Sequence, residues 1–293
     1  MARIPPAPRP VDKSWQATRV RRFGYVCAVY IARASLNDEV AFGLIEGLDP
    51  AGDPNPETVF APIASHPYAP ELVPLGPRIP LVEVKLLAPV LPSKVIAVAR
   101  NYTAHAHEMG AQVRTEPEIF LKPSTAVIGS GAPVLYPPTS QRVDYEAELA
   151  VVISRLCKSV PVERVPDVIL GYTCANDVTA RDLQAIDNQW GRAKCFDSFC
   201  PLGPWIATEE IDPANAPLVC EVNGEVRQSG STREMVHSIA ELVAYISDIM
   251  TLLPGDVILT GTPAGIGPVL PGDLMEVTVP GIGTLSNEVV LRD

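Results

Sequence analysis

No apolar run in this sequence approaches the ~18–20 residues that cross a bilayer, so no membrane-spanning helix is expected. Positive charge is scarce. Against 34 Asp and Glu stand 23 Lys and Arg, a formal net charge of −11, which leaves no basic face for nucleic-acid phosphates. Residues 1–13 are Pro-rich and lack the apolar segment of a signal peptide, which points to a cytoplasmic chain. The six cysteines (Cys27, Cys157, Cys174, Cys195, Cys200 and Cys220) form no C-x-x-C pair and no zinc spacing, and read as small core residues. Neither G-x-G-x-x-G nor G-x-x-x-x-G-K-[ST] occurs, so nucleotide-binding folds lose their usual support.

What is present is a chain of 293 residues, 47% hydrophobic, enough for one large domain or one with a small companion. Its 31 prolines are about twice the usual share and oppose a helical bundle in favour of short strands joined by turns. The expected class is α+β, predominantly β. Residues 1–20 carry Pro5, Pro6, Pro8 and Pro10 without periodicity and read as a mobile arm. Strand-like runs at 23–31 and 41–45, followed by eight prolines between Ala51 and Leu81, suggest a small N-terminal β unit and its connection over 21–90. From 91 to 293 lies the larger unit, with strands expected at 94–99, 148–153, 168–174, 257–260 and 274–279. One helix is clear: Ile239, Leu242, Val243, Ile246, Ile249 and Met250 form a 3.6-period stripe. Ser238-x-x-Glu241 and Ser231-x-x-Glu234 both match a capping box at its start. Leu253-Pro254-Gly255-Asp256 returns as Leu270-Pro271-Gly272-Asp273. These are two turn-plus-strand units that suggest a rolled sheet.

Three segments could carry chemistry. Glu146 and Glu148 precede an apolar run; on a strand they would share a face. Two adjacent carboxylates are either a solvated edge or the oxygen donors of a hard ion, Mg²⁺ or Mn²⁺. Asn176 and Asp177 follow a strand, with Asn176 suited to cap a helix from Val178 onward. That helix would set Arg181 and Gln184 above Asp177. Ten residues on, Lys194 sits in semi-apolar surroundings. Lastly, one helical turn would bring His105 against Glu108, a pairing that makes a general base or merely an exposed ion pair.

Together these segments resemble the fumarylacetoacetate hydrolase family over about residues 91–290. The resemblance rests on R-N-Y-x-x-H-x-x-E from Arg100, F-L-K-P from Phe120, E-x-E from Glu146 and N-D-V-T-A-R-D-L-Q from Asn176. It continues with R-A-K-x-F-D-x-F-x-P-x-G-P from Arg192, V-N-G-E from Val222, P-G-D-V-I-L-T-G-T-P from Pro254 and G-I-G from Gly281. Their shared order and spacing make coincidence remote. Cys195 departs from the Gly or Ser often found there, which bears on packing beside Lys194.

The resemblance implies a mixed β-roll with a small N-terminal β domain, a homodimer, and Mg²⁺ or Mn²⁺ held by Glu146, Glu148 and Asp177. It implies a His105–Glu108 dyad on a lid, with catalytic roles for Lys194 and Gln184. Arg100, Lys122, Arg181 and Thr262 would bind substrate. The expected activity is hydrolysis of an acylpyruvate-type β-diketo acid through a metal-stabilised enolate. Sister activities on the same site are oxaloacetate decarboxylation and isomerisation or decarboxylation of a 2-hydroxyhepta-2,4-diene-1,7-dioate in aromatic catabolism. A contrasting reading is a non-catalytic binder of oxo acids.

Overall fold

The structure is a computed structural model that describes residues 29–209 and 211–292. The expected arm and residues 23–28 of the first expected strand lie outside the described residues. The N-terminal strands are β1 (Tyr30–Leu36), β2 (Glu39–Glu46), β3 (Val59–Pro62), β4 (Ile79–Pro80) and β5 (Lys85–Leu87). Next come β6 (Val95–Ala99), helix α1 (Thr103–Glu108), β7 (Glu118–Lys122), β8 (Val127–Ile128) and β9 (Val134–Tyr136). The middle of the chain runs β10 (Val143–Tyr145), β11 (Ala147–Ile153), β12 (Ile169–Asn176), β13 (Thr179–Ala180), α2 (Arg181–Ile186), α3 (Gly191–Lys194) and β14 (Cys200–Ala207). It closes with β15 (Pro217–Val222), β16 (Glu225–Ser231), α4 (Ile239–Ile249), β17 (Val257–Leu259), β18 (Gly267–Val269), β19 (Leu274–Val279) and β20 (Gly283–Leu291).

A sheet of 12 strands runs β4-β3-β2-β1-β14-β12-β11-β17-β6-β7, with β5 on β1 and β8 on β14. A sheet of 5 strands runs β16-β15-β19-β20-β9, and a small one joins β13-β10-β18. The N-terminal strands enter the large sheet through β1, whose Tyr30 and Ile31 pair antiparallel with Ala207 and Ile206 of β14. The Pro-rich stretch does hold a strand, β3, but it pairs only with β2 and the short β4, and its Pro62 is the last residue.

Strand β11 is buried along its whole length, as its apolar run requires of a strand covered on both faces. Leu149, Val151 and Ile153 pack into one core cluster while Ala150 and Val152 pack into another. Helix α4 buries Ile239, Leu242, Val243 and Ile246, and Ser238 with Glu241 forms the capping box. Ser231 caps only a short 3₁₀ turn. The two Leu-Pro-Gly-Asp turns share a device: Asp256 accepts the N–H of Leu253 at 2.8 Å, and Asp273 that of Leu270 at 2.7 Å. Each leads into a strand, β17 in the large sheet and β19 in the smaller one.

The sequence pattern predicts a helix from Val178, capped by Asn176; the structure corrects this. Asn176 ends β12, Thr179 and Ala180 pair with Asp144 and Val143, and α2 begins at Arg181. The β-branched Thr179 finds a strand partner, and this tertiary pairing overrides the local helix signal.

Candidate active site and metal centre

Glu146 stands in the break between β10 and β11, Glu148 is the second residue of β11, and Asp177 follows the end of β12. Their ligand oxygens lie within 4.8 Å of one another, and all three residues are buried. Burial raises Glu146, but Lys194 and Arg181 outweigh it and hold its carboxyl well below the usual carboxylate range. Burial pushes Glu148 well above that range, and the neighbouring Asp177 and Glu146 charges push it further. Three crowded carboxylates, one of them resisting ionisation, form a hard-oxygen set that a divalent cation would relieve. The donor set therefore fits Mg²⁺ or Mn²⁺ and not zinc's usual nitrogen and sulfur ligands.

Lys194 at the end of α3 is 2% exposed, and its Nζ donates to Glu146 Oε2 at 2.8 Å and Asp177 Oδ2 at 2.6 Å. Burial lowers the Lys194 pKa, yet Asp177 and Glu146 outweigh it and keep the ammonium charged. Arg181 has every guanidinium nitrogen engaged. Nε donates to Asp144 at 2.8 Å, Nη1 to Gln184 Oε1 at 2.6 Å and Nη2 to Glu146 Oε1 at 2.5 Å. Lys122 is not on the cavity wall. It is fully buried behind the site, with Nζ bonded to Asp177 Oδ1 and to Val178 O, so it braces Asp177 from behind and is not among the residues lining the cavity.

His105 on α1 is 7% exposed, and its Nδ1 lies 3.1 Å from Glu108 Oε2. With Nδ1 protonated toward Glu108, Nε2 keeps a free lone pair. The other Glu108 oxygen accepts the N–H of Gly265 at 3.0 Å, which fastens the helix to the loop before β18. At the root of this segment, Asn101 donates to His237 O at 3.0 Å and Thr260 O at 2.8 Å, and accepts from His237 N at 2.8 Å.

A cavity of about 100 Å³ collects these parts. On its wall the three carboxylates meet His105, Lys194, Arg181 and Gln184. Arg100 and Thr262 also line it, Thr262 accepting from Gln228 Nε2 at 2.7 Å. Sequence reasoning missed the apolar wall, Val98, Met109, Phe120 and Trp190, because no motif joins residues so far apart. It also missed Gly261, whose N–H donates to Glu148 Oε2 at 2.6 Å. Gly261 sits at φ +97, and a Cβ there would lie 2.8 Å from that of Asn101, so the T-G-T run ending at Thr262 needs glycine at this point.

Comparison with known proteins places this geometry. The family model "Fumarylacetoacetate (FAA) hydrolase C-terminal" matches residues 94–290, and "Rv2993c-like, N-terminal" matches 31–89. The solved 5-carboxymethyl-2-hydroxymuconate delta-isomerase of Mycobacterium smegmatis is 50% identical with a TM-score of 0.82, covering 90% of this chain and 100% of its own. The human mitochondrial oxaloacetate tautomerase FAHD2A is 44% identical over 226 residues, 73% of this chain and 72% of its own. A maleylpyruvate hydrolase of Sphingobium sp. SYK-6, solved with manganese(II) and pyruvate, is 32% identical with a TM-score of 0.70 over 90% of this chain and 100% of its own.

Proposed function

Because the chain belongs to the fumarylacetoacetate hydrolase family, we propose that it is a divalent-metal-dependent enzyme that moves a proton at the carbon next to the keto group of a short 2-oxo dicarboxylic acid, as a keto–enol tautomerase or isomerase. The carrying observation is the pairing of His105, oriented by Glu108, with a buried carboxylate triad across a cavity of only about 100 Å³. The relatives that act as an isomerase and an oxaloacetate tautomerase support proton transfer over C–C hydrolysis, at higher identity than the hydrolase.

A Mg²⁺ or Mn²⁺ ion held by Glu146, Glu148 and Asp177 supplies Lewis-acid polarisation of the keto oxygen. The chain's own groups do the rest. His105 Nε2 takes the C3 proton and hands it to the enolate oxygen to complete tautomerisation, or to the far carbon of a conjugated enolate to complete isomerisation, while Glu108 holds the ring's tautomer and steadies the imidazolium. Lys194 and Gln184 balance oxyanion charge as it develops. The cationic wall of Lys194, Arg181 and Arg100 admits an acidic substrate into an acidic protein. The same base could activate water, and this is the second reading: hydrolysis of an acylpyruvate, favoured by the dyad itself. We carry the homodimer forward as part of the proposal, with sedimentation velocity as its test.

The deciding experiment follows C3 hydrogen–deuterium exchange of oxaloacetate by NMR with Mn²⁺- or Mg²⁺-loaded protein, beside cleavage of acetylpyruvate. Metal-dependent exchange without cleavage is expected. Cleavage of acetylpyruvate without exchange would replace this reading with the second.

A further inference from the structure

Arg100 is the cavity-lining cation whose charge the site leaves least used. The other two on the wall are committed: Lys194 to Glu146 and Asp177, and Arg181 to Asp144, Gln184 and Glu146. Among the described residues the acidic partner of Arg100 is Glu118, with Nη1 at 3.4 Å from Oε2, a separation long for a charged pair, and its side chain stays 26% exposed. Its backbone is held at φ +57, a left-handed conformation that a long side chain rarely adopts. Such strain persists where the surroundings over-determine it, and it collects at ligand clamps. The guanidinium lies over the Trp190 ring, 5.6 Å from its centroid, and Trp190 is itself braced edge-on by Phe120 at 5.5 Å. Arg100 and Trp190 both line the cavity that holds the carboxylate triad.

We propose that Arg100, its guanidinium held over Trp190, binds the second carboxylate of the substrate and so makes the enzyme selective for dicarboxylic over monocarboxylic 2-oxo acids. This rests on the functional reading above and names its substrate class. A guanidinium over an indole gains a cation–π contact without spending its N–H donors, which suits it to a two-pronged carboxylate contact. The other two wall cations, Lys194 and Arg181, are bonded to the triad's carboxylates; Arg100 is not, and is left for the second carboxylate.

The test compares oxaloacetate with 2-oxobutyrate, which has the same four-carbon chain and a methyl where oxaloacetate has its second carboxylate. C3 hydrogen–deuterium exchange and calorimetric binding to the Mn²⁺-loaded protein are measured for wild type, Arg100→Gln, Arg100→Lys and Trp190→Leu. A charged hydrogen-bond pair lost should weaken oxaloacetate by ~10–100-fold in Arg100→Gln, chiefly in KM, with 2-oxobutyrate nearly unchanged. Arg100→Lys should recover part of the preference, and Trp190→Leu should erode it by roughly 2–5-fold. Equal losses for both acids, or no loss for either, would overturn the assignment. An unchanged Mn²⁺ affinity checks that the variants keep the site. If wild type exchanges neither acid, the functional reading fails, while the two binding curves still decide whether Arg100 selects the second carboxylate.

Discussion

The side-chain carbonyl of Asn176 accepts the backbone N–H of Glu146 at 2.9 Å. In return the backbone N–H of Asp177 donates to Glu146 O at 2.8 Å. Glu146 lies where β10 gives way to β11, so its N–H has no ladder partner of its own, and Asn176 supplies one. Two segments far apart in sequence are thus clipped together at the residues that bear the candidate ligands.

Removing that clip should loosen the metal site more than the fold. Asn176→Ala strands a buried N–H, at a cost of ~1–3 kcal/mol in stability. Outer partners of metal ligands typically govern ~10–100-fold in affinity, and a fall of that size in Mn²⁺ binding is expected by calorimetry. A variant less stable yet with unchanged Mn²⁺ affinity would mean that Asn176 braces the strands without setting the ligands.

Glu148 gives the pH prediction. In the metal-free protein its folded pKa lies well above the usual range, by burial and by the charges of Asp177 and Glu146. Above ~4.3, the ordinary glutamate value, the native state then holds a proton that the unfolded chain has lost. Stability from this group is full below that pH and falls as pH rises until the folded group ionises. Glu148→Gln removes the dependence: its metal-free Tm should exceed that of wild type at neutral pH, and the gap should widen with pH. In wild type, Mn²⁺ binding should release a proton, seen as a buffer-dependent enthalpy, and the variant should show neither the release nor a Mn²⁺-induced rise in Tm. Parallel Tm curves for the two proteins would assign the pH dependence to other groups.

Much of this site was legible in the residues before any coordinates. Two glutamates one residue apart before an apolar run, and an aspartate after another, are local patterns that strand geometry converts into a cluster. Helix α4 was legible because apolar period and capping box agree. What was hidden depends on distant pairing. Thr179 is a strand residue only because Asp144 lies across from it. Lys122 reads as a substrate-binding lysine until β7 turns it toward Asp177. Trp190 carries no motif, and its meeting with Phe120 of the F-L-K-P run depends on segments far apart in sequence. The resemblance implies a lid; the structure shows that segment docked through Glu108 and Asn101, which names the contacts an opening would have to release.

Gly265 tests the lid. It sits at φ +102, and a Cβ there would meet Arg227 O at 2.4 Å, so Gly265→Ala must shift the loop whose N–H holds Glu108. Losing that hydrogen bond frees the carboxylate that orients His105. Faster amide hydrogen exchange over residues 103–108 and a lower kcat are expected, with Mn²⁺ affinity kept. Unchanged exchange in the helix together with lost activity would show that the loop acts on the substrate directly and not through the lid.

In the proposed reaction His105 is the base, and its replacement separates the readings. His105→Ala should reduce C3 exchange of oxaloacetate by the ~10²–10⁴-fold typical of a missing general base. Mn²⁺ binding should persist, because His105 is not among the three clustered carboxylates. Glu108→Gln should lose less, since an amide oxygen can still accept from Nδ1 but no longer balances the imidazolium. Lys194→Ala should weaken exchange and any acetylpyruvate cleavage alike, because charge on the developing oxyanion is common to both. If His105→Ala keeps exchange within a few-fold of wild type while acetylpyruvate cleavage collapses, the imidazole acts on water. Proton transfer at C3 would then belong to a group other than His105, and not to Lys194, whose ammonium is held charged between Glu146 and Asp177.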